Sequence, residues 1–470
     1  MSIDWKKVAA DYRDDYLEDL KHLIAIQSVR DDANKTEDAP LGPGPAKALQ
    51  AFLKMAERDG FETTNLDNLA GFVEYGEGAE TIAILAHVDV MPAGEGWATD
   101  PFTLTIKDGN AYGRGTSDDK GPALAAYYGL KILKDQGVKL NKKIRFILGT
   151  DEESNWTGMN HYFETQPEPT MGFSPDAEFP LINGEKGNVS FTLGVKGENS
   201  GDDTLKGFDA GLRENMVPRD ATAIVETADN EALVAAFTEF LDQMPVVGDV
   251  KTDGDGVHLH VIGKAAHGME PKNGINAGTY LAKFLSQFNF DGDAGHFLAL
   301  LGGALHEDSR VTKLGLAFTD DIMGDLTMNV GVMDFQAGQG GKIVLNFRYP
   351  KGIGSDDLQG ALTKVAEENQ FDLQKGREMV PHYVAPDDPI VTTLMATYRE
   401  LTGEQAAEPE VVGGGTYGRL MKRGVAFGAL FPHTEDTMHQ VDEFQPVNDL
   451  LLAMAIYGRS IQALSNDLAD

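Results

Sequence analysis

The chain has 470 residues, room for about three domain-sized units, and its 40 basic against 74 acidic residues leave a formal net charge of −34. Such a field repels phosphate backbones and anionic bilayers, which excludes nucleic acid and membrane surfaces as partners, and 41% hydrophobic residues exclude global disorder. Cysteine is absent, which removes disulfides, thiolate nucleophiles, iron–sulfur clusters and cysteine-bound zinc, so any metal site must use His, Asp, Glu and other oxygen donors.

Over residues 5–27, Val8, Tyr12, Tyr16, Leu20, Leu23 and Ile24 recur at helical spacing and predict one surface helix with a core-facing stripe. No apolar signal core follows the charges of Met1-Ser2-Ile3-Asp4-Trp5-Lys6-Lys7, and no charge-free run is long enough to span a bilayer, so a soluble cytoplasmic protein is expected. A second helix is predicted over Ala46–Ala56, after Pro45 and before Gly60. Ala70–Tyr75 and Thr81–Val90 then read as strands, Thr81 to Ala86 as one buried on both faces. Asp108-Gly109 between short β-rich segments marks a hairpin; a long helix follows Gly121-Pro122 and runs to Gly137, and Lys143–Leu148 is another buried strand. Strands alternating with helices predict an α/β sandwich around a mixed or parallel sheet.

The texture then shifts. Val189–Val195, Ala221–Glu226, Val257–Ile262, Thr327–Val332 and Ile343–Arg348 alternate as strands, with helical patterns at Glu231–Leu241, Asn276–Phe288 and Ser355–Glu368. That order suits an antiparallel α+β layer. The α/β texture returns with helices near Val391–Leu401 and Val447–Ala463. One discontinuous domain, 1–186 and 383–470, is therefore expected to be interrupted by an inserted one, 187–382.

Three clusters follow predicted strands of the first block. In His87-Val88-Asp89, residues i and i+2 of a strand point the same way, so Asp89 can hold the far ring nitrogen of His87, as carboxylates do for metal-bound imidazoles. A core histidine beside a turn aspartate would read identically. Gly113-Arg114-Gly115-Thr116-Ser117-Asp118-Asp119-Lys120-Gly121 is either ligand-bearing or a glycine-rich loop entering a helix whose N-terminus favours acids. Asp151-Glu152-Glu153-Ser154 sets three carboxylates side by side, which repel unless a cation lies among them; a solvated acidic loop is the alternative. Ser174-Pro175-Asp176 follows in chain order.

Taken jointly, and with Met438-His439-Gln440-Val441-Asp442-Glu443, these motifs resemble the aminoacylase–carnosinase family of two-zinc metallopeptidases, and closely its bacterial PepV-type dipeptidases, over essentially the whole chain. The resemblance implies a zinc-exopeptidase-like α/β/α catalytic domain and an inserted α+β lid, its antiparallel sheet made of two ferredoxin-like halves. It implies that His87, Asp118 and Asp176 hold one metal and Asp118, Glu153 and His439 the other, Asp118 bridging both and followed by a cis peptide to Asp119. Asp118 is chosen because the family's bridging aspartate stands two positions before Lys-Gly, here Lys120-Gly121; His439 is preferred to His433 by the His-x-x-x-Glu pattern ending at Glu443. Glu152 is implied as the general base acting on a water between the metals. Two divalent cations would balance the four charges of Asp118, Glu152, Glu153 and Asp176.

In the insert, Gly263-Lys264-Ala265-Ala266-His267-Gly268 resembles the family's lid-histidine motif, with His267 as an oxyanion donor. Asn215 would bind the substrate backbone, Arg348 its C-terminal carboxylate, and Gly414, Gly415 and Thr416 the substrate through a loop whose backbone N–H groups can meet a carboxylate. One departure is Asn155, where glycine commonly follows Glu-Glu-Ser. His258 and His260 are read as lining an exposed strand face, and Gly340-Gly341-Lys342 is no phosphate loop, because Ile343 stands where Ser or Thr is required.

The expected protein is a dinuclear zinc dipeptidase (two Zn2+ per chain, with Mn2+ or Co2+ as substitutes) acting on small unblocked peptides. A deacylase or desuccinylase of N-acyl amino acids is the rival activity, and a catalytically dead peptide-binding protein the rival class. Relatives with a single-unit lid tend to dimerise through it. An insert of about 200 residues could carry both halves in one chain, so a monomer with His267 acting in cis is expected.

Overall fold

Apolar runs of the first block become the centre of a mixed sheet in the computed structural model, which describes residues 3–466. Met1, Ser2 and the last four residues, which the N-terminal reading and the domain limits above include, lie outside the described residues. The chain divides into two units. The first joins the segment ending at Gly184 to Tyr383–Val411 and to the chain from Gly415 onward; the second comprises Glu185–His382 and Val412–Gly414.

In the first unit the sheet runs, in spatial order, Glu62–Leu66, Ala70–Tyr75, Lys143–Gly149, Thr81–His87, Met171–Ser174 and Gly424–Ala426. The last four are mutually parallel; the first two join antiparallel. Thr81–His87 and Lys143–Gly149 are buried along nearly their whole length, as strands covered on both faces must be. They share one core with helices Arg13–Ile24, Pro43–Arg58, Lys120–Asp135, Pro389–Thr402 and Val447–Asn466. Parallel pairing puts the C-terminal ends of Thr81–His87, Lys143–Gly149 and Met171–Ser174 along one sheet edge, where ligands of open α/β sheets bind. His87, the turn at residues 150–153 and Asp176 all emerge there.

The helix expected over residues 5–27 is two helices, Trp5–Asp11 and Arg13–Ile24, broken at Tyr12. The Tyr12 N–H is shared between the Val8 and Ala9 carbonyls, and its hydroxyl donates to Asp135 Oδ2 at 2.8 Å. The Asp108-Gly109 hairpin forms as predicted, both residues at positive φ (+51° and +84°), as a tight two-residue turn requires.

The second unit carries an eight-stranded sheet, antiparallel throughout: Val247–Asp253, Gly256–Ile262, Asp220–Glu226, Thr204–Ala210, Thr327–Gln336, Gly340–Tyr349, Gly187–Val195 and Asp372–Met379. Gly187–Val195, helix Gly292–Gly302, Thr327–Gln336, Gly340–Tyr349, helix Ser355–Asn369 and Asp372–Met379 form a βαββαβ unit of ferredoxin-like strand order. The other half repeats this with helices Asn230–Gln243 and Ala277–Leu285, except that Thr204–Ala210, topologically its last strand, comes first in the chain. The halves fuse where Phe208 lies opposite Phe335. Among the described residues, no helix is long and apolar enough to cross a membrane.

Two glycines let helices Lys120–Asp135 and Val447–Asn466 touch. A Cβ on Gly129 would stand 2.7 Å from the backbone nitrogen of Gly458, and one on Gly458 would meet the Trp5 ring at 2.2 Å. Gly129→Val is expected to destabilise the chain by about 1–3 kcal/mol, read as a lower urea midpoint; an unchanged midpoint would mean that the helices separate at no cost.

Candidate dinuclear metal site

Six side chains from five segments of the first unit converge at this sheet edge. His87, fully buried, ends its strand with Nε2 3.0 Å from Asp118 Oδ1 and 3.5 Å from Asp176 Oδ2. The other oxygen of Asp118, Oδ2, lies 2.8 Å from His439 Nε2, which is itself 3.0 Å from Glu153. Donor atoms of His87, Glu152 and Asp176 lie within 4.8 Å of one another, as do those of Asp118, Glu153 and His439. The peptide between Asp118 and Asp119 is cis.

The surroundings fix these groups. The Asp119 carboxylate accepts the N–H of His87 at 3.0 Å. The nearest partner of His87 Nδ1 is the Asp89 carbonyl oxygen at 3.0 Å; the Asp89 carboxylate stands 3.4 Å from the same nitrogen and accepts the N–H groups of Glu152 (3.1 Å) and Glu153 (3.2 Å). Asp89 thus serves the ring and holds the turn bearing the two glutamates. Asp151, buried, receives Arg30 and the hydroxyl and N–H of Thr157. The left-handed residue after this turn is Trp156 (φ +59°), not Asn155. His439 sits outside any helix or strand at φ +63°, a conformation costing roughly 1 kcal/mol or more for a non-glycine residue.

Burial opposes ionisation of Asp118, but its bonds to His439 and His87 outweigh burial and hold it below the usual carboxylate range. Burial likewise opposes protonation of His439, yet Asp118 and Glu153 push it up to about 11. His87 rises for the same reason, against its burial, through Asp118, Asp176 and Asp89. Burial and then the charge of Asp118 push Glu153 up to about 7 and raise Asp176. Burial and the charge of Asp176 raise Glu152 well above normal. Protons here do the work of cations. The donor set, two imidazoles and four carboxylates with no sulfur, suits two divalent ions of the zinc, manganese or cobalt type.

Among the other predicted residues, His267, Asn215 and Arg348 belong to the second unit. His267 Nδ1 accepts the N–H of Met269 at 3.1 Å, and Gly268 N–H donates to Asn215 O at 2.7 Å. Arg348, buried, donates to the carbonyl of Gly413 at 2.8 Å and to Asn346 Oδ1 at 3.2 Å. Of the loop residues, Gly414 falls in the second unit and Gly415 and Thr416 in the first, where Thr416 Oγ1 accepts the Gly418 N–H at 3.1 Å. His258 is paired with Asp253, and His260 with Asp249 and Asp220. Sequence reasoning missed Arg30, Arg114 and Tyr417, whose ring meets His87 edge-on. A charged residue inside an otherwise glycine-rich motif was the signal available for Arg114.

A two-metal hydrolase site on an α/β sheet is the class that this fold and these residues define. The chain belongs to peptidase family M20/M25/M40, whose family model matches residues 83–463, and is a metallopeptidase of that family. It is 43% identical over 466 residues to "Putative dipeptidase SH1171" of Staphylococcus haemolyticus, spanning 98% of this chain and 99% of that protein. It is 44% identical over 468 residues to "Putative dipeptidase SAB1611c" of Staphylococcus aureus, with the same coverage. Among solved structures, human carnosine dipeptidase 1 matches with a TM-score of 0.58 at 14% identity, covering 98% of this chain and 99% of that one, a likeness of fold.

The raised values set the sign of a pH effect. Stability from the His439 proton is complete below its ordinary value of 6.5 and is lost as pH rises through about 11; Glu153 behaves likewise between 4.5 and about 7. Bound cations must displace those protons, so zinc affinity is expected to climb by about tenfold or more from about pH 6 to about pH 8. Calorimetric titration in buffers of different ionisation enthalpy checks this through the protons released.

Proposed function

We propose that the chain is a dinuclear zinc dipeptidase that hydrolyses the single peptide bond of unblocked dipeptides. The observation carrying this reading is Asp118, each of whose oxygens faces a different histidine, His87 and His439. Its full-length similarity to proteins named as dipeptidases supports the substrate class. His87, Asp118 and Asp176 would hold one ion and Asp118, Glu153 and His439 the other. When bound, the pair supplies Lewis acidity that polarises the scissile carbonyl and acidifies the attacking water.

The rest of the chemistry belongs to side chains. Glu152 takes the proton of the attacking water and returns it to the leaving amine. Its place on the turn held by Asp89, next to the proposed ligand Glu153, supports that role. His267, with Nδ1 occupied as an acceptor, carries its neutral-state proton on Nε2, the form needed to donate to a developing oxyanion. Arg348 meets the substrate carboxylate; Asn215 and the Gly414–Thr416 loop meet its backbone. The protein acts as a cytoplasmic monomer, with His267 serving its own chain.

A panel of unblocked dipeptides, tripeptides and N-acyl amino acids, assayed with zinc-loaded protein, tests the reading. Dipeptides are expected to be cleaved, and Glu152→Ala to lose about 10²–10⁴-fold in kcat with zinc still bound. Cleavage of N-acyl amino acids alone would replace this reading with deacylation, and near-parental activity of Glu152→Ala would remove the base assignment. Light scattering is expected to give a mass near 50.8 kDa; twice that value would contradict the monomer.

A further inference from the structure

Behind the candidate metal ligands lies a buried ion pair. Arg114 is 2% exposed and Glu443 0%, and they meet at 2.6 Å between an Arg114 terminal nitrogen and Glu443 Oε2. The other carboxylate oxygen, Oε1, accepts three backbone N–H groups in succession, from Gly115 (3.1 Å), Ser117 (2.8 Å) and Asp118 (3.1 Å). The second guanidinium nitrogen donates to the carbonyls of Pro92 at 3.2 Å and His439 at 3.4 Å. The Trp97 ring lies 5.3 Å from the guanidinium carbon. One pair therefore ties together the segment after His87, the loop carrying Asp118 and the loop carrying His439.

A buried pair of this kind is poor value as a stabiliser, because desolvating both charges cancels most of their attraction and apolar side chains would pack as well. What apolar side chains could not do is hold three N–H groups and the carbonyls of Pro92 and His439 at fixed spacing. The ligands differ in how much they need this. His87 ends a central strand and Asp176 follows another; the Ser174 hydroxyl bonds to Leu85 O at 2.8 Å between those strands, and the parallel ladder places both residues. His439 stands on neither helix nor strand and holds a left-handed conformation.

We propose that Arg114 and Glu443 are positioning residues for the metal site, setting the spacing between Asp118 and His439. Through that spacing they act chiefly on the cation held by Asp118, Glu153 and His439, because the sheet places His87 and Asp176, two of the three ligands of the other cation. The inference rests on the dinuclear reading above.

Calorimetric zinc titration of the full-length chain, stripped with a chelator, tests it on the parent, Glu443→Gln and Arg114→Lys. The parent is expected to bind two ions. Glu443→Gln keeps an acceptor for the N–H groups but loses the charge opposite Arg114; it should bind one ion with near-parental affinity and the other about 10–100-fold more weakly. Arg114→Lys keeps the charge but not the reach to both carbonyls, and should shift the same ion by less. If Glu443→Gln does not fold, Arg114→Lys decides alone. A merely structural role would lower the melting temperature of the metal-free variants and leave the ratio of the two affinities unchanged. That unchanged ratio, with both ions weakened together or neither, would overturn the inference. A parent that binds fewer than two ions would instead overturn the dinuclear reading, and this inference with it.

Discussion

Asp118 is buried, yet each of its carboxylate oxygens faces an imidazole from a different part of the chain, His87 at 3.0 Å and His439 at 2.8 Å. Around it stand Asp176, Glu152 and Glu153, three more carboxylates in a space too dry to let all of them ionise. The raised proton affinities of Glu152, Glu153, Asp176 and both histidines follow from that crowding. The folded chain gathers negative charge that only protons or cations can neutralise. Much of the neighbouring structure serves this arrangement: Asp89 holds the glutamate turn, Asp119 receives the His87 N–H, and Glu443 holds the Asp118 loop.

The sheet explains why residues distant in sequence can meet. Parallel strands end on one side, so a loop after each of them reaches the same place. Those strands read clearly in the sequence, because strands buried on both faces are nearly continuous apolar runs; Ala70–Tyr75 was matched to the residue, and Lys143–Gly149 to within one. Strands at sheet edges were not read. Glu62–Leu66, Val247–Asp253 and Asp372–Met379 are polar and largely exposed and show no apolar alternation. Thr204–Ala210 escaped for another reason: Lys206-Gly207 interrupts its pattern at a register shift. Helix Gly292–Gly302 begins and ends in glycine and carries no periodic polar face.

The candidate site was legible as a set of motifs, and its pairing only through the resemblance they carry. Family resemblance proposed His87, Asp118, Glu152, Glu153, Asp176 and His439 and also set Asp118 between the His87 and His439 sides, a pairing that no spacing in the sequence shows by itself and that the two oxygens of Asp118 match. The sequence could not say that the Asp89 carbonyl, rather than its carboxylate, is nearest to His87 Nδ1. Arg114 and Glu443 lie 329 positions apart and become partners only through the fold. The net charge of −34 belongs mostly to the surface, since few of the 74 acidic residues lie at this site.

The shared carboxylate is tested most directly by zinc titration of Asp118→Asn against the parent. An amide at this position cannot supply two anionic oxygens, so both binding events should weaken together, by about tenfold or more each. Loss of one event, with the other kept at parental affinity, would contradict a bridging Asp118.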